Sequence, residues 1–155
     1  MTNLFNKNYF SAIYLIILGS VSSLSLPPYN YFIINFITFS LFFIFIFNKK
    51  NRINKNLPFF KYGWYFGFGY FLSSLYWISI ALTFDEHFKY FIPFAVILVP
   101  SFLAIFYGLV TYFFSIFYFE KIISSFLVFT LLFGITELIR GFIFTGFPWN
   151  LIAFS

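Results

Sequence analysis

The chain has 155 residues, of which 62% are hydrophobic and 8% charged, with a formal net charge of +5 and no cysteine. A soluble domain carries about 25% charged residues, so this chain cannot cover a water-facing surface and reads as an integral membrane protein. The missing thiol excludes disulfides, thiolate metal sites and thiol nucleophiles within these residues, and basic residues confined to short loops between apolar stretches speak against nucleic-acid binding.

Five apolar spans follow in chain order: Tyr9 to Leu26, Tyr31 to Phe47, Tyr62 to Leu82, Phe91 to Tyr118 and Ile122 to Ile139. Each approaches or exceeds the roughly 17–25 residues that cross a bilayer. Backbone groups in lipid must pair within their own segment, so the spans are predicted to be helices. Barrel strands would be about half as long and alternate in polarity, and no such alternation is present. A sixth apolar segment starts at Leu151 and reaches only Ser155, too short to span. The expected fold is an all-α integral membrane bundle of about five transmembrane helices plus a truncated sixth, forming one N-terminal transmembrane domain over residues 1–155. As a fragment of this kind the chain is expected to be marginal as an independent fold.

The connectors carry the punctuation. Pro27-Pro28 forces a break, since neither ring can donate a helical hydrogen bond. Asn48 to Lys61 is the most polar stretch, with Lys49, Lys50, Arg52, Lys55 and Lys61. Pro93 is placed to start the fourth helix, where its missing N–H costs little. Pro100 falls inside that helix, where it is expected to introduce a kink. Gly63 and Gly67 form a Gly-x-x-x-Gly pair, joined by Gly69, and the pattern predicts close helix packing. The abundance of Phe, 31 residues, is explained by codon usage in an A/T-rich genome and is weak support for an aromatic binding site.

The distribution of basic residues orients the bundle. A cytoplasmic N-terminus puts Lys7, the second connector and Lys121 inside, and leaves Lys89 and Arg140 outside. A secretory signal peptide would also fit Lys7, the apolar run and the small residues at Ser20–Ser25. Tyr14 and the Pro-Pro turn into a further span favour a retained helix.

Few side chains could carry chemistry. Glu137 and Arg140 lie three residues apart and share a helix face. Ionisable groups at membrane depth are costly and either pair or serve function. The two form a self-neutralising pair at the helix end, or Arg140 attracts an anionic lipid headgroup while Glu137 holds its guanidinium. Phe147-Pro148-Trp149 follows in a short loop, where Trp is ordinarily an interfacial anchor. Trp64 and Trp77 carry the same expectation. Asp85-Glu86-His87 reads as a solvated loop, because adjacent residues seldom converge on one metal without partners elsewhere. No metal site and no cofactor are expected. The central parts of the spans offer mainly Ser, Thr and Gly, which argues against a small transporter.

Four landmarks occur in order: Leu26-Pro-Pro-Tyr-Asn30, Gly63-Trp-Tyr-Phe-Gly-Phe-Gly69, Leu75-Tyr-Trp-Ile78, and Thr136-Glu-Leu-Ile-Arg-Gly141 leading into Phe144-Thr-Gly-Phe-Pro-Trp149. Together they resemble the N-terminal membrane part of the apolipoprotein N-acyltransferase family. The last run is the most specific, and the likeness covers essentially the whole chain.

The resemblance implies a bacterial inner-membrane protein with a cytoplasmic N-terminus. It also implies a reaction in which a cysteine of a nitrilase-like domain takes an acyl chain from membrane phospholipid as a thioester. That acyl chain then passes to the N-terminal amine of an apolipoprotein. No catalytic residue can be assigned here, because the Glu-Lys-Cys triad of that domain has no counterpart in these residues. The substrate-facing positions that the resemblance suggests are Glu137, Arg140, Phe147, Pro148, Trp149 and Trp77. Their expected neighbours are phospholipid, the apolipoprotein and a nitrilase-like domain on the same or another chain. The alternative is a non-enzymatic helical membrane protein that binds lipid or a partner.

Overall fold

The computed structural model describes residues 8–53, 56–76, 80, 83 and 90–143. Among them are five α-helices: α1 (Asn8–Ser22), α2 (Ile33–Lys50), α3 (Leu57–Ser74), α4 (Ile92–Ile116) and α5 (Ile122–Ile143). A 3-10 turn at Ser23–Ser25 extends α1. No strand occurs among the described residues. Three helices, α2, α4 and α5, are long and apolar enough to cross a membrane, and Tyr9–Ser25 is a shorter apolar helix.

Several helix ends depart from the sequence expectation. α2 continues three residues beyond Phe47 and takes in Lys49 and Lys50. Basic side chains there oppose the negative end of the helix dipole and keep their ammonium groups at the rim while their stems lie along apolar surface. α3 begins at Leu57, five residues ahead of Tyr62, with Pro58 in its first turn. Proline fits that turn, where its missing N–H would be unpaired anyway. The same helix stops at Ser74, with Leu75 and Tyr76 past its end; residues 77–79, 81 and 82 of the expected span lie outside the described residues. α4 starts at Ile92 with Pro93 in its first turn, as expected, and runs through Pro100 without interruption.

α3 is the centre of the bundle, with its broadest contacts to α4 and then α1. Small residues make this possible. A Cβ at Gly69 would overlap the Ile16 carbonyl, one at Gly19 the Phe66 carbonyl, and one at Gly63 the Tyr107 carbonyl. Gly67 is slightly roomier: a methyl group added there would lie 3.0 Å from Tyr107 Cβ. The Gly-x-x-x-Gly expectation is thus met against α4, while Gly69 and Gly19 serve the opposite face against α1. Side-chain hydroxyls reinforce both contacts. Thr111 Oγ1 donates to the Phe59 carbonyl at 2.7 Å, and Ser20 Oγ to the Gly69 carbonyl at 3.2 Å. Such bonds between helices contribute about 0.6 kcal/mol on average.

Trp64 does not act simply as an interfacial anchor. Its Nε1 donates to the Ser101 carbonyl at 3.0 Å and ties α3 to α4 one residue past Pro100.

The remaining core is aromatic. Phe42 of α2 stacks on Phe66 of α3 with ring centroids 4.2 Å apart. Phe39 and Phe42 meet Phe133 of α5 edge-on, and Phe114 of α4 meets Phe129 of α5. Each well-placed ring pair adds about 0.5–1.5 kcal/mol beyond its area. The outward faces are equally apolar: Phe36 and Ile37 on α2, Phe94 and Leu98 on α4, and Leu127, Leu131 and Leu138 on α5 are all more than half exposed. Apolar residues outside as well as inside are what a lipid solvent requires.

Pairings between helices set their directions. Phe59–Thr111 and Trp64–Ser101 make α3 and α4 antiparallel; the Ser20–Gly69 bond, with Ser23 beside Ser73 and Ser74 at the ends of the two helices, makes α1 and α3 parallel. The ends of α1, α3 and α5 therefore gather with the starts of α2 and α4 at one end of the bundle. The end of α2 and the start of α3 lie at the other, basic end.

Candidate functional site

The one buried ion pair among the described residues lies near the end of α5. Arg140 Nη2 donates to Glu137 Oε2 at 2.8 Å and to Oε1 at 3.0 Å. The Arg140 side chain is 0% exposed and that of Glu137 12%. The spacing of three residues places both on the helix face that looks into the bundle. The helix runs on to Ile143, so the pair sits inside its last turns and not at a cap.

Neighbouring helices complete the surroundings. The guanidinium carbon lies 4.9 Å from the centre of the Phe71 ring on α3, a cation–π arrangement favoured in a desolvated setting. Tyr70 of α3 and Tyr107 of α4 are fully buried, and both are within electrostatic reach of Glu137 and Arg140. The Tyr107 hydroxyl faces the Glu137 carboxylate. Three helices thus converge on one pair of opposite charges, and each supplies a side chain for a reason set by its local sequence. α3 presents Phe71 and Tyr70 because its glycine faces pull it to the centre. α4 presents Tyr107 beside the Ala104–Gly108 stretch, where α3 approaches closely.

A cleft of about 190 Å³ opens at the same end, lined by Ser23, Leu26, Pro27, Pro28, Tyr29, Ser73, Ser74 and Tyr76. It is smaller than the roughly 300–1,000 Å³ of a small-molecule site. Above it the turn is closed by the Tyr31 N–H on the Leu24 carbonyl at 3.1 Å, with Asn30 at φ 57°, a left-handed conformation that Asn tolerates. Ser22 Oγ donates to Asn35 Oδ1 at 2.6 Å and ties α1 to α2 below the turn.

Of the six positions proposed from the sequence, Glu137 and Arg140 are brought together directly. Trp77, Phe147, Pro148 and Trp149 lie outside the described residues, as do Asp85, Glu86 and His87. Nothing in the sequence singles out Tyr70, Phe71 and Tyr107. They are three among 12 tyrosines and 31 phenylalanines, and only the crossing of α3, α4 and α5 distinguishes them.

Comparison with known proteins bears on the same stretch. Residues 18–155 match the apolipoprotein N-acyltransferase N-terminal domain. The chain belongs to this family. It is 36% identical over 143 residues to the apolipoprotein N-acyltransferase of Brucella suis, an alignment covering 88% of this chain and 27% of that protein. The corresponding enzyme of Rhizobium rhizogenes is 34% identical over 150 residues, covering 93% of this chain and 28% of the relative. That of Rhizobium etli is 37% identical over 143 residues, with 88% and 27% covered. The chain thus spans just over a quarter of the length of the curated relatives it matches. In this N-acyltransferase N-terminal domain the matched stretch contains all of α2 to α5, and with them the Glu137–Arg140 pair.

Proposed function

We propose that this chain is the membrane-embedded portion of an apolipoprotein N-acyltransferase, and that it takes part in moving an acyl chain from phospholipid to the N-terminal amine of a lipoprotein. The match over residues 18–155 carries this reading. The thioester step needs a thiolate, and these 155 residues contain no cysteine. The nucleophile therefore comes from a nitrilase-like domain, on the same or another chain, and the residues described above are inactive by themselves. The membrane is the bacterial inner membrane, with the N-terminus cytoplasmic and the Arg140 end facing outward.

Within that reading, Glu137 and Arg140 hold the end of α5 in register against α3 and α4. This fixes where the chain emerges into the Phe144–Trp149 run. The burial of the guanidinium supports a positioning role in preference to direct capture of a headgroup. Phe147, Pro148, Trp149 and Trp77 are then the side chains that meet lipid or the catalytic domain.

A domain exchange tests the proposal. In a bacterium depleted of its own N-acyltransferase, residues 18–155 replace the matching part of the Brucella suis enzyme. The chimera should restore triacylated lipoprotein, read as the mass of its N-terminal peptide, while the 155-residue chain alone should not. A chimera that inserts in normal amounts yet leaves lipoproteins diacylated would overturn the assignment. Activity of the chain alone would overturn its dependence on an outside nucleophile.

A further inference from the structure

We propose that the basic end of the bundle carries a site for an anionic phospholipid, its headgroup seated between Lys49 and Arg52. Lys49 lies in the last turn of α2, and its ammonium stands 5.6 Å from the centre of the Phe45 ring and 5.9 Å from that of Tyr62 on α3. The two rings hold the charge at a defined depth where the apolar span ends. Arg52 follows in the turn, exposed, its N–H on the Lys49 carbonyl at 3.1 Å and its charge close enough to repel that of Lys49. Two like charges held together favour an anion that bridges them. Lys50 is turned to another task, with its ammonium on Asn56 Oδ1 at 2.7 Å and beside the Phe59 ring at 5.6 Å.

The charge balance at this end points the same way. Among the described residues it gathers Lys49, Lys50, Arg52, Lys61 and Lys121 against Glu120 alone. Glu137, at the opposite end, is paired with Arg140. An apolar track leads to the site and distinguishes a phospholipid from free phosphate. Ile37, Leu41 and Ile44, exposed by 57%, 41% and 46%, recur at helical spacing on one face of α2. That face continues to Asn48, in the last turn of α2 ahead of the turn that carries Arg52. Acyl chains lie along the stripe while the phosphate meets the two cations, and the leaflet's own negative potential adds to the attraction.

The test uses the whole 155-residue chain, extracted with its surrounding lipid into polymer-bounded discs from membranes containing phosphatidylethanolamine and phosphatidylglycerol. Discs holding the wild-type chain should be enriched in phosphatidylglycerol at least about threefold over the bulk membrane. Lys49→Gln/Arg52→Gln should fall to the bulk ratio. Lys61→Gln/Lys121→Gln, which removes the same charge from the same end, should keep the enrichment. Should the first double variant fail to accumulate, Arg52→Gln alone, at an exposed turn residue, should lose at least half of it. A wild-type ratio equal to bulk, or an equal loss in the Lys61/Lys121 control, overturns the site. So does removal of the bound lipid by washing with inorganic phosphate.

Discussion

Arg140 is the most expensive side chain in the molecule to bury, and its cost is met by Glu137 and by the face of Phe71. Removing one member of a buried ion pair strands the other charge, a loss of about 3 kcal/mol or more. Replacing both by apolar residues of similar size removes the desolvation penalty as well. Glu137→Leu should therefore lower the unfolding temperature in detergent markedly, and Glu137→Leu/Arg140→Met should recover most of it. A double variant as unstable as the single one would show that the pair contributes more than mutual neutralisation. Tyr107→Phe should lower stability by about 1 kcal/mol or more, because it removes a hydroxyl that faces the buried Glu137 carboxylate,. The three-residue spacing of Glu137 and Arg140 was legible in the sequence. The aromatic shell was not, because a tyrosine facing a buried charge and one facing lipid have the same local surroundings in a Phe- and Tyr-rich chain.

Among the helices, α2, α4 and α5 were evident as long apolar runs, and their cores lie where the spans were placed. α3 was harder, because a helix buried on two faces needs small residues more than apolar ones. Its glycines, tyrosines and Trp64 weaken the hydropathy signal while making close approach possible. Alanine at Gly69 or Gly63 should be severe, since the new methyl meets backbone that cannot move without separating the helices; overpacking of this kind costs about 1–3 kcal/mol. Gly67→Ala should be milder. Gly134, on the exposed face of α5, has nothing within 4 Å of an added Cβ, so Gly134→Ala should be neutral or gain up to about 1 kcal/mol in helix propensity. Thermal unfolding of the four variants gives the order, and equal losses at Gly69 and Gly134 would refute the central placement of α3.

For the molecule as a whole, the antiparallel pairings divide charge unequally between two ends. Because the chain lacks cysteine, single introduced thiols report its orientation without background. In intact cells Tyr29→Cys, at an exposed turn of the Arg140 end, should react with a membrane-impermeant maleimide. Arg52→Cys should react only after the inner membrane is opened. The reverse pattern would invert the proposed topology.

Composition and the lengths of apolar runs were enough to establish an all-helical membrane protein, because the lack of water in a bilayer leaves the backbone few alternatives. The ordered motifs ending in Thr136–Gly141 and Phe144–Trp149 were enough to indicate the family. Which helix lies at the centre, that Gly63–Gly67 and Gly69–Gly19 serve opposite neighbours, and that Tyr70, Phe71 and Tyr107 enclose the charge pair all depend on contacts between distant segments. Those contacts are set by close packing of whole helices. No single segment encodes them, because the shape that each helix must fit belongs to its neighbours.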